Sequence, residues 1–375
     1  MAGNASGTEV PIWQEPPPPV HTSMEWLKLS GLERLRATKL ESNYPPAPYS
    51  RLTGARPIEY GEGTTLFEMP VSPWLQGSTG VLPGGVMAFL ADSPLGGAVM
   101  TMNPPGVVIT TSELSMNYLR PATLASRHLR ARSHAVHLGR SFALSEVYIE
   151  DAEGLLLAHG TARNLMVKLP VPEGPFQQPI YNDPEPELPD PYLRPARGEV
   201  LPAEVWRDLS GLEIQRRQIA GDLPPSPFME LFGIRRVAAE EGEATIACIA
   251  SGWLSSPVRR LYGGALALLA DTALTSAAQT TVPAGTAIAP LDLRIQYLRP
   301  LMPDGGEIRV TAKVFHRGQT LGVVNAELLN PEGKVAATAT STFLVMPDFN
   351  WVSDAWVVPN DVAEETDQVE VTGDD

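Results

Sequence analysis

Apolar residues run almost unbroken through PGGVMAFLADSPLGGAV (83–99) and again through YGGALALLADTALTSAA (262–278). Each run is apolar nearly all round at helical period, which predicts a helix enclosed by other elements rather than one lying on a surface. A glycine pair opens each run and a single acid interrupts it, Asp92 in the first and Asp271 in the second. An ionised carboxylate is costly to bury without partners, so its recurrence points to a requirement. Around the runs hydrophobicity alternates with period two, the mark of half-buried strands. Leu114, Met116 and Tyr118 share a face in ELSMNYLRP, as do Leu291, Leu293, Ile295 and Tyr297 in LDLRIQYLRP. Two more strands are expected around TTLFEMPV and around ATIACIAS, and DAEG (151–154) and NPEG (330–333) read as hairpin turns. A short helix, SGLERLRATKL or SGLEIQRRQIA, leads each set.

The two sets are one pattern repeated at an offset of 179 residues, which takes Gly84 to Gly263. The same offset pairs Pro45 with Pro224, Gly54 with Gly233, Trp74 with Trp253, Asp92 with Asp271, His137 with His316 and the two YLRP runs (118–121, 297–300). No gap is needed from about residue 45 to about 167. The expected organisation is a disordered segment 1–22, a first domain 23–167, a proline-rich linker 168–203, a second domain 204–346 and an acidic tail 347–375. Trp351 and Trp356 are candidates to tack the start of that tail to the surface. Each domain is predicted to be α+β, an antiparallel sheet wrapped around one central helix. That is the hotdog fold, here in tandem.

Charge and composition narrow the function. The formal net charge of −15 argues against nucleic acid or an anionic membrane as partner. Seven acids and no base fall between Asp361 and Asp375. A single cysteine, Cys248, allows no intramolecular disulfide and suits a reducing compartment. The N-terminus lacks the basic-then-apolar order of a signal peptide, and no uncharged apolar stretch reaches the ~20 residues needed to span a bilayer. A soluble, cytoplasmic protein is expected. None of the six histidines has metal-ligand spacing, so no metal and no cofactor is expected.

The order GGVMAFLADS, SELSMNYLRPA, HLGRS resembles the PaaI-like (phenylacetic-acid-degradation-type) hotdog acyl-CoA thioesterases, and GGALALLADT, LDLRIQYLRPL, HRGQT in the second unit does so equally. The resemblance covers each unit whole. It implies hydrolysis of an acyl-CoA thioester at a site formed where two hotdog units pair. One unit would offer the N-terminus of its central helix, with glycine N–H groups holding the thioester carbonyl. The other would offer the mid-helix acid as general base or nucleophile, helped by a Ser or Thr on the next strand. Here the pairing units would be the two halves of one chain, and a homodimer of the tandem chain is the further assembly to look for.

Two unequal sites follow. Site one joins Asp92 and Thr111 to Ser256, Tyr262, Gly263 and Gly264; site two joins Asp271 and Thr272 to Gly77, Pro83, Gly84 and Gly85. Asp92, Asp271, Thr111, Thr272, Gly85 and Gly264 are the candidate catalytic residues. Tyr262, Ser256, Gly84 and Gly263 are candidate substrate contacts. So are Gly139, Arg140, Arg317 and Gly318, in HLGR and HRGQ, where the family places a loop touching phosphate or pantetheine. The sequence departs from the family at the pre-glycine histidine, replaced by Pro83 and Tyr262, and at an asparagine further upstream, replaced by Gly77 and Ser256. The strand Ser/Thr position is Thr111 in unit one and Pro290 in unit two. Site one keeps more polar groups and is favoured, although Pro94 bends its helix beside the acid. Two alternatives stay open: an acyl-CoA-binding or sensing protein whose catalysis has decayed, and, further behind, a hydratase. RHLRARSH (127–134) aligns His128, Arg130, Arg132 and His134 on one strand face, either solvated or attractive to phosphate. Cys248 is expected in the core.

Overall fold

The computed structural model describes residues 10–37, 44–183 and 187–351. In the first half, helices α1 (Gly31–Ala37) and α2 (Pro48–Thr53) lead into strands β1 (Arg56–Gly61) and β2 (Thr64–Pro70). The long helix α3 (Gly84–Thr101) follows, and then β3 (Val107–Tyr118), β4 (His128–Leu138), β5 (Phe142–Glu150) and β6 (Leu156–Lys168). The second half opens with α4 (Ala203–Asp208), α5 (Gly211–Ala220), α6 (Pro227–Phe232), β7 (Ile234–Glu240) and β8 (Glu243–Ile249). It continues with α7 (Gly263–Gln279), β9 (Ala287–Pro290), β10 (Asp292–Tyr297), β11 (Glu307–Arg317), β12 (Leu321–Leu329) and β13 (Val335–Met346). The short helices α2 and α6 were not expected, yet both carry the usual punctuation: a proline in the first turn and a left-handed glycine, Gly54 or Gly233, at the end.

All pairings are antiparallel and belong to one sheet, ordered β1-β2-β4-β5-β6-β3-β10-β13-β12-β11-β8-β7, with β9 against β13. The second half of that order mirrors the first. At the joint β3 pairs with β10, and Ser115 lies opposite Arg294, its own repeat at the 179 offset. A pseudo-two-fold axis therefore passes through the joint. Proline cannot donate to a ladder, and Pro290 divides into β9 and β10 the strand that is continuous as β3 in the first half. The sheet wraps the two long helices. Every residue of α3 except Ser93 and Met100 is buried, and both helices belong to one hydrophobic core that draws on both halves. The tandem hotdog architecture is the one expected.

Residues 10–15, expected to be loose, are docked instead. Ile12 is buried in the shared core, the Trp13 carbonyl accepts from Ser251 Oγ, and the Glu15 carbonyl accepts from Trp253 Nε1. A proline-rich strap without ladder partners is held by side chains that bind its carbonyls. The linker is fixed in the same way. Trp74 Nε1 donates to the Arg194 carbonyl, Arg194 pairs with Glu15, and Arg51 pairs with Asp190. Trp351 stacks on Trp206 with ring centroids 5.0 Å apart; Trp356 and the acidic run from Asp361 lie outside the described residues. No helix among the described residues is long and apolar enough to cross a membrane.

Candidate active site

The two long helices meet so that the N-terminus of each faces the middle of the other. Gly85 N–H donates to Asp271 Oδ2 at 2.7 Å, and Gly264 N–H donates to Asp92 Oδ2 at 3.0 Å. A Cβ on Gly85 would fall 2.9 Å from the Leu268 Cα, and one on Gly264 would fall 2.5 Å from the Phe89 carbonyl oxygen. Only glycine lets the first turn approach that closely. The first N–H groups of a helix lack intrahelical partners and carry the positive end of its dipole, so each aspartate is met by the opposite helix's N-terminus. That contact explains a carboxylate in the middle of an apolar helix.

The two crossings differ in everything behind the acid. At site one, Thr111 Oγ1 lies 3.0 Å from Asp92 Oδ1 and 3.4 Å from Asn164 Oδ1, and Asn164 Nδ2 reaches Ser145 Oγ at 3.5 Å. This polar line runs from the acid into the sheet, and Asn164 and Ser145 are fully buried. The 179-residue counterparts of Thr111, Asn164 and Ser145 are Pro290, Phe343 and Val324. Buried Thr65 and Ser133, also on the inner face of the first sheet half, correspond to Ala244 and Ala312. Unit two is apolar at every one of these positions. There the Phe343 ring covers Gly322, whose Cβ would meet ring carbons at 2.2 Å.

The tyrosines of the two YLRP runs sharpen the contrast. Tyr118 Oη donates to Asp271 Oδ1 at 3.2 Å, and its ring lies over Gly84. Its repeat, Tyr297, donates instead to the Gly263 carbonyl at 3.0 Å. Asp271 is sealed at 1% exposure with Gly84 and Gly85 buried, whereas Asp92 keeps 8% and Gly263, Ser93 and Thr111 beside it are half-buried. Site one is the less enclosed of the two. Site two is closed by Tyr118.

Burial raises the pKa of Asp92, opposed by the hydrogen bonds from Thr111 and Gly264. Burial likewise pushes Asp271 up to about 6, against the bonds from Gly85 and Tyr118. Both carboxyls are therefore more basic than an exposed aspartate.

Not every expected site residue arrives. Thr272 donates to the Leu268 carbonyl one helical turn back at 2.7 Å and makes no bond to Asp271. Ser256 closes a surface turn on the Arg260 carbonyl. Tyr262 is at the crossing, but its hydroxyl is engaged on both sides: it donates to the Phe89 carbonyl at 2.7 Å and accepts from Ser93 N–H at 2.9 Å. The donor and acceptor of that hydroxyl are thus both engaged within the protein. Gly139 and Arg140 form the tip of the β4–β5 hairpin, and Arg317 and Gly318 that of β11–β12, with both arginines exposed. Ala143, just past the first tip, lies in register with Asn164 and, through it, with Thr111; Gly322, just past the second, lies in register with Phe343 and then Pro290. The first tip thus belongs to the half of the sheet that carries Thr111, and the second to the half that carries Pro290.

Three of the four strand-face residues lie against acids, and the fourth, Arg132, is exposed. Arg130 and His128 meet Glu68, and His134 meets Glu146. The YLRP arginines hold strand carbonyls, Arg120 on Leu156 and Arg299 on Val335. Cys248 is buried and its thiol is pushed up to about 12. Among the described residues no group of His, Cys, Asp or Glu is arranged to hold a metal ion. Asn164, Ser145 and Tyr118 were missed by the sequence reading.

The thioesterase superfamily model matches this chain twice, at residues 79–158 and 260–337. The acyl-coenzyme A thioesterase PaaI of Escherichia coli K12 is 31% identical over 105 residues, which is 28% of this chain and 72% of that protein. A TesB protein structure from Mycobacterium avium subsp. paratuberculosis is 14% identical with a TM-score of 0.50, covering 80% of this chain and 98% of that one. An acyl-CoA thioesterase II structure from Mycobacterium marinum is 14% identical with a TM-score of 0.47, covering 82% and 99%.

Proposed function

This chain belongs to the thioesterase superfamily, and from that premise we propose that it hydrolyses acyl-CoA thioesters at site one alone, with Asp92 as general base. The observation that carries the choice of site is the polar line Asp92–Thr111–Asn164, set against Asp271 with Pro290 and Phe343 in the matching places.

The chemistry follows from the groups present. The thioester carbonyl carbon lies against the carboxylate and the carbonyl oxygen faces the first turn of α7, where Gly263 offers its N–H beside the Gly264 N–H that holds Asp92. Asp92 takes a proton from water as the water oxygen bonds to that carbon. Thr111 donates its one hydroxyl proton to the other carboxylate oxygen and holds it in place. Negative charge on the former carbonyl oxygen is met by the helix N-terminus. Collapse of the tetrahedral species breaks the carbon–sulfur bond, and the proton held on Asp92 passes to the departing thiolate. Products are the free acid and CoA. General-base assistance of this kind contributes about 10²–10⁴-fold, and burial brings the carboxyl's pKa nearer the working pH, as that role requires.

The test is release of free thiol from acetyl-, hexanoyl- and phenylacetyl-CoA by the purified chain. Turnover of at least one, lost in Asp92→Asn, is the expected result. Binding of these esters without turnover would leave the decayed, acyl-CoA-binding alternative.

A further inference from the structure

Helix α3 is opened one residue beyond its acid. In a regular helix Ser93 N–H would donate to the Phe89 carbonyl, four residues back. Here the Tyr262 hydroxyl stands between them, accepting from Ser93 N–H at 2.9 Å and donating to the Phe89 carbonyl at 2.7 Å. The next rung is missing too, because Pro94 has no N–H to give the Leu90 carbonyl. Pro94 thus removes one rung beside Asp92 and the Tyr262 hydroxyl takes up both groups of the rung before it, proline and an inserted side chain being two recognised causes of a bent helix.

The wedge comes from the other half of the molecule. Tyr262 immediately precedes the first residue of α7, so it is two residues from Gly264, whose N–H holds Asp92. Its ring is buried, stacked on Tyr49 with centroids 4.0 Å apart and edge-on to Phe89 at 5.0 Å. Tyr49 in turn reaches Ser93 Oγ at 2.7 Å. At the second crossing the matching residue is Pro83, which has no hydroxyl, and the residue matching Pro94 is Ala273, which has an N–H. Wedge and proline occur together at one crossing and are absent together from the other.

We infer that Tyr262 is a positioning residue: by holding open the turn of α3 around Asp92 it fixes the acid against the N-terminus of α7. The inference rests on the reading of Asp92 as the base. Displacing a reacting group by about 1 Å costs on the order of 10²-fold in rate, and closing two helical rungs beside Asp92 is a displacement of that kind.

Two variants test it, assayed with whichever of acetyl-, hexanoyl- and phenylacetyl-CoA the wild type turns over fastest. Tyr262→Phe keeps the stacked ring and removes the hydroxyl. Tyr262→Phe with Pro94→Ala also returns an N–H to the helix, so its ladder can close and the fold is protected if the single variant is unstable. Expected for both is a fall in kcat of roughly 10–100-fold with KM little changed. In the double variant the melting temperature is expected to equal or exceed that of wild type. The acid limb of the kcat/KM profile is expected to move to higher pH, because an Asp92 that has lost the Gly264 and Thr111 bonds is harder to ionise. A merely structural tyrosine would change the melting temperature and leave that limb alone. Wild-type kcat and an unmoved limb in the folded double variant overturn the inference while Asp92→Asn remains inactive. Full activity in Asp92→Asn overturns it together with the function on which it rests.

Discussion

The two helix crossings share a backbone plan and differ in what stands behind the acid. At Asp92 the carboxylate is backed by a threonine, an asparagine and a serine, and the helix around it is opened by Tyr262 and Pro94. At Asp271 the same positions hold proline, phenylalanine and valine, the helix has no internal proline, and Tyr118 seals the acid. A buried acid can thus be retained in a duplicated fold for two reasons: to act on a substrate, or to satisfy a helix N-terminus that the packing has already brought there. The glycine contact is common to both crossings, so it cannot separate the roles. The groups on the second carboxylate oxygen differ: half-buried Thr111 binds Asp92, while Tyr118 caps Asp271.

The largest effect expected from this difference is on turnover. Asp92→Asn should lower kcat/KM by about 10²–10⁴-fold, and Asp271→Asn should leave most of it, measured as thiol release at pH 7. Loss in Asp271→Asn with retention in Asp92→Asn would invert the comparison. Because the base must be ionised, wild-type activity should fall as pH drops through the Asp92 pKa, at a pH above the ordinary carboxylate range.

Next in size is the polar line. Thr111→Val preserves shape and deletes one hydrogen bond to a charged group, worth roughly 10–100-fold if that bond forms fully in the transition state. Asn164→Ala should have the same direction and a smaller size, because it acts through Thr111. Substitutions at Phe343 that conserve volume should change stability alone. Equal kcat losses from Asn164→Ala and from Phe343→Leu would mean that both sites turn over.

The acids, the repeat and the helix-in-sheet plan were legible because each recurs at a fixed offset and follows a helix or strand period. The polar line was not, because it is visible only as a difference between repeats. Asn164 in TARNLMV and Phe343 in TSTFLVM sit at the same place in strands of the same pattern, and nothing in the alternation marks one as a hydrogen-bonding partner. Tyr118 follows the apolar alternation of its strand, and only the three-dimensional crossing brings its hydroxyl to Asp271. Pro94 by itself predicts only a bend in the helix beside the acid. Its meaning came from Tyr262, which lies 169 residues away in sequence from Ser93, the residue it binds.

Stability should separate the acids in the opposite sense. The folded-state pKa of Asp271 is about 6, above the ~3.9 of an unfolded aspartate. The native state therefore binds more protons than the unfolded state between these values, and stability falls as pH rises from about 4 through 6. Asp271→Asn removes that loss and can still accept from Gly85 with its amide oxygen. It should be more stable than wild type at pH 7, on the order of 2 kcal/mol, with the gain gone near pH 4. Urea unfolding at the two pH values reads this directly, and an unchanged difference between them would show that Asp271 is ionised at little cost.

The smallest expected effect concerns the hairpin tips. Arg140 stands at the tip whose strands lead to Asn164 and Thr111, and Arg317 at the tip that leads to Phe343 and Pro290. Both side chains are exposed, so any attraction for the phosphates of CoA is screened and modest, about 2- to 5-fold in KM. If only site one turns over, Arg140→Ala should raise KM with kcat unchanged, as for binding felt equally in ground and transition states. Arg317→Ala should change neither constant. The Arg140 effect should shrink at high salt because the Debye length falls from about 10 Å at 0.1 M to about 3 Å at 1 M. A matching rise in KM from Arg317→Ala would bring CoA to the second tip and with it the second crossing. Wild-type KM in both variants would leave the two arginines as solvated charges and place the nucleotide elsewhere on the sheet.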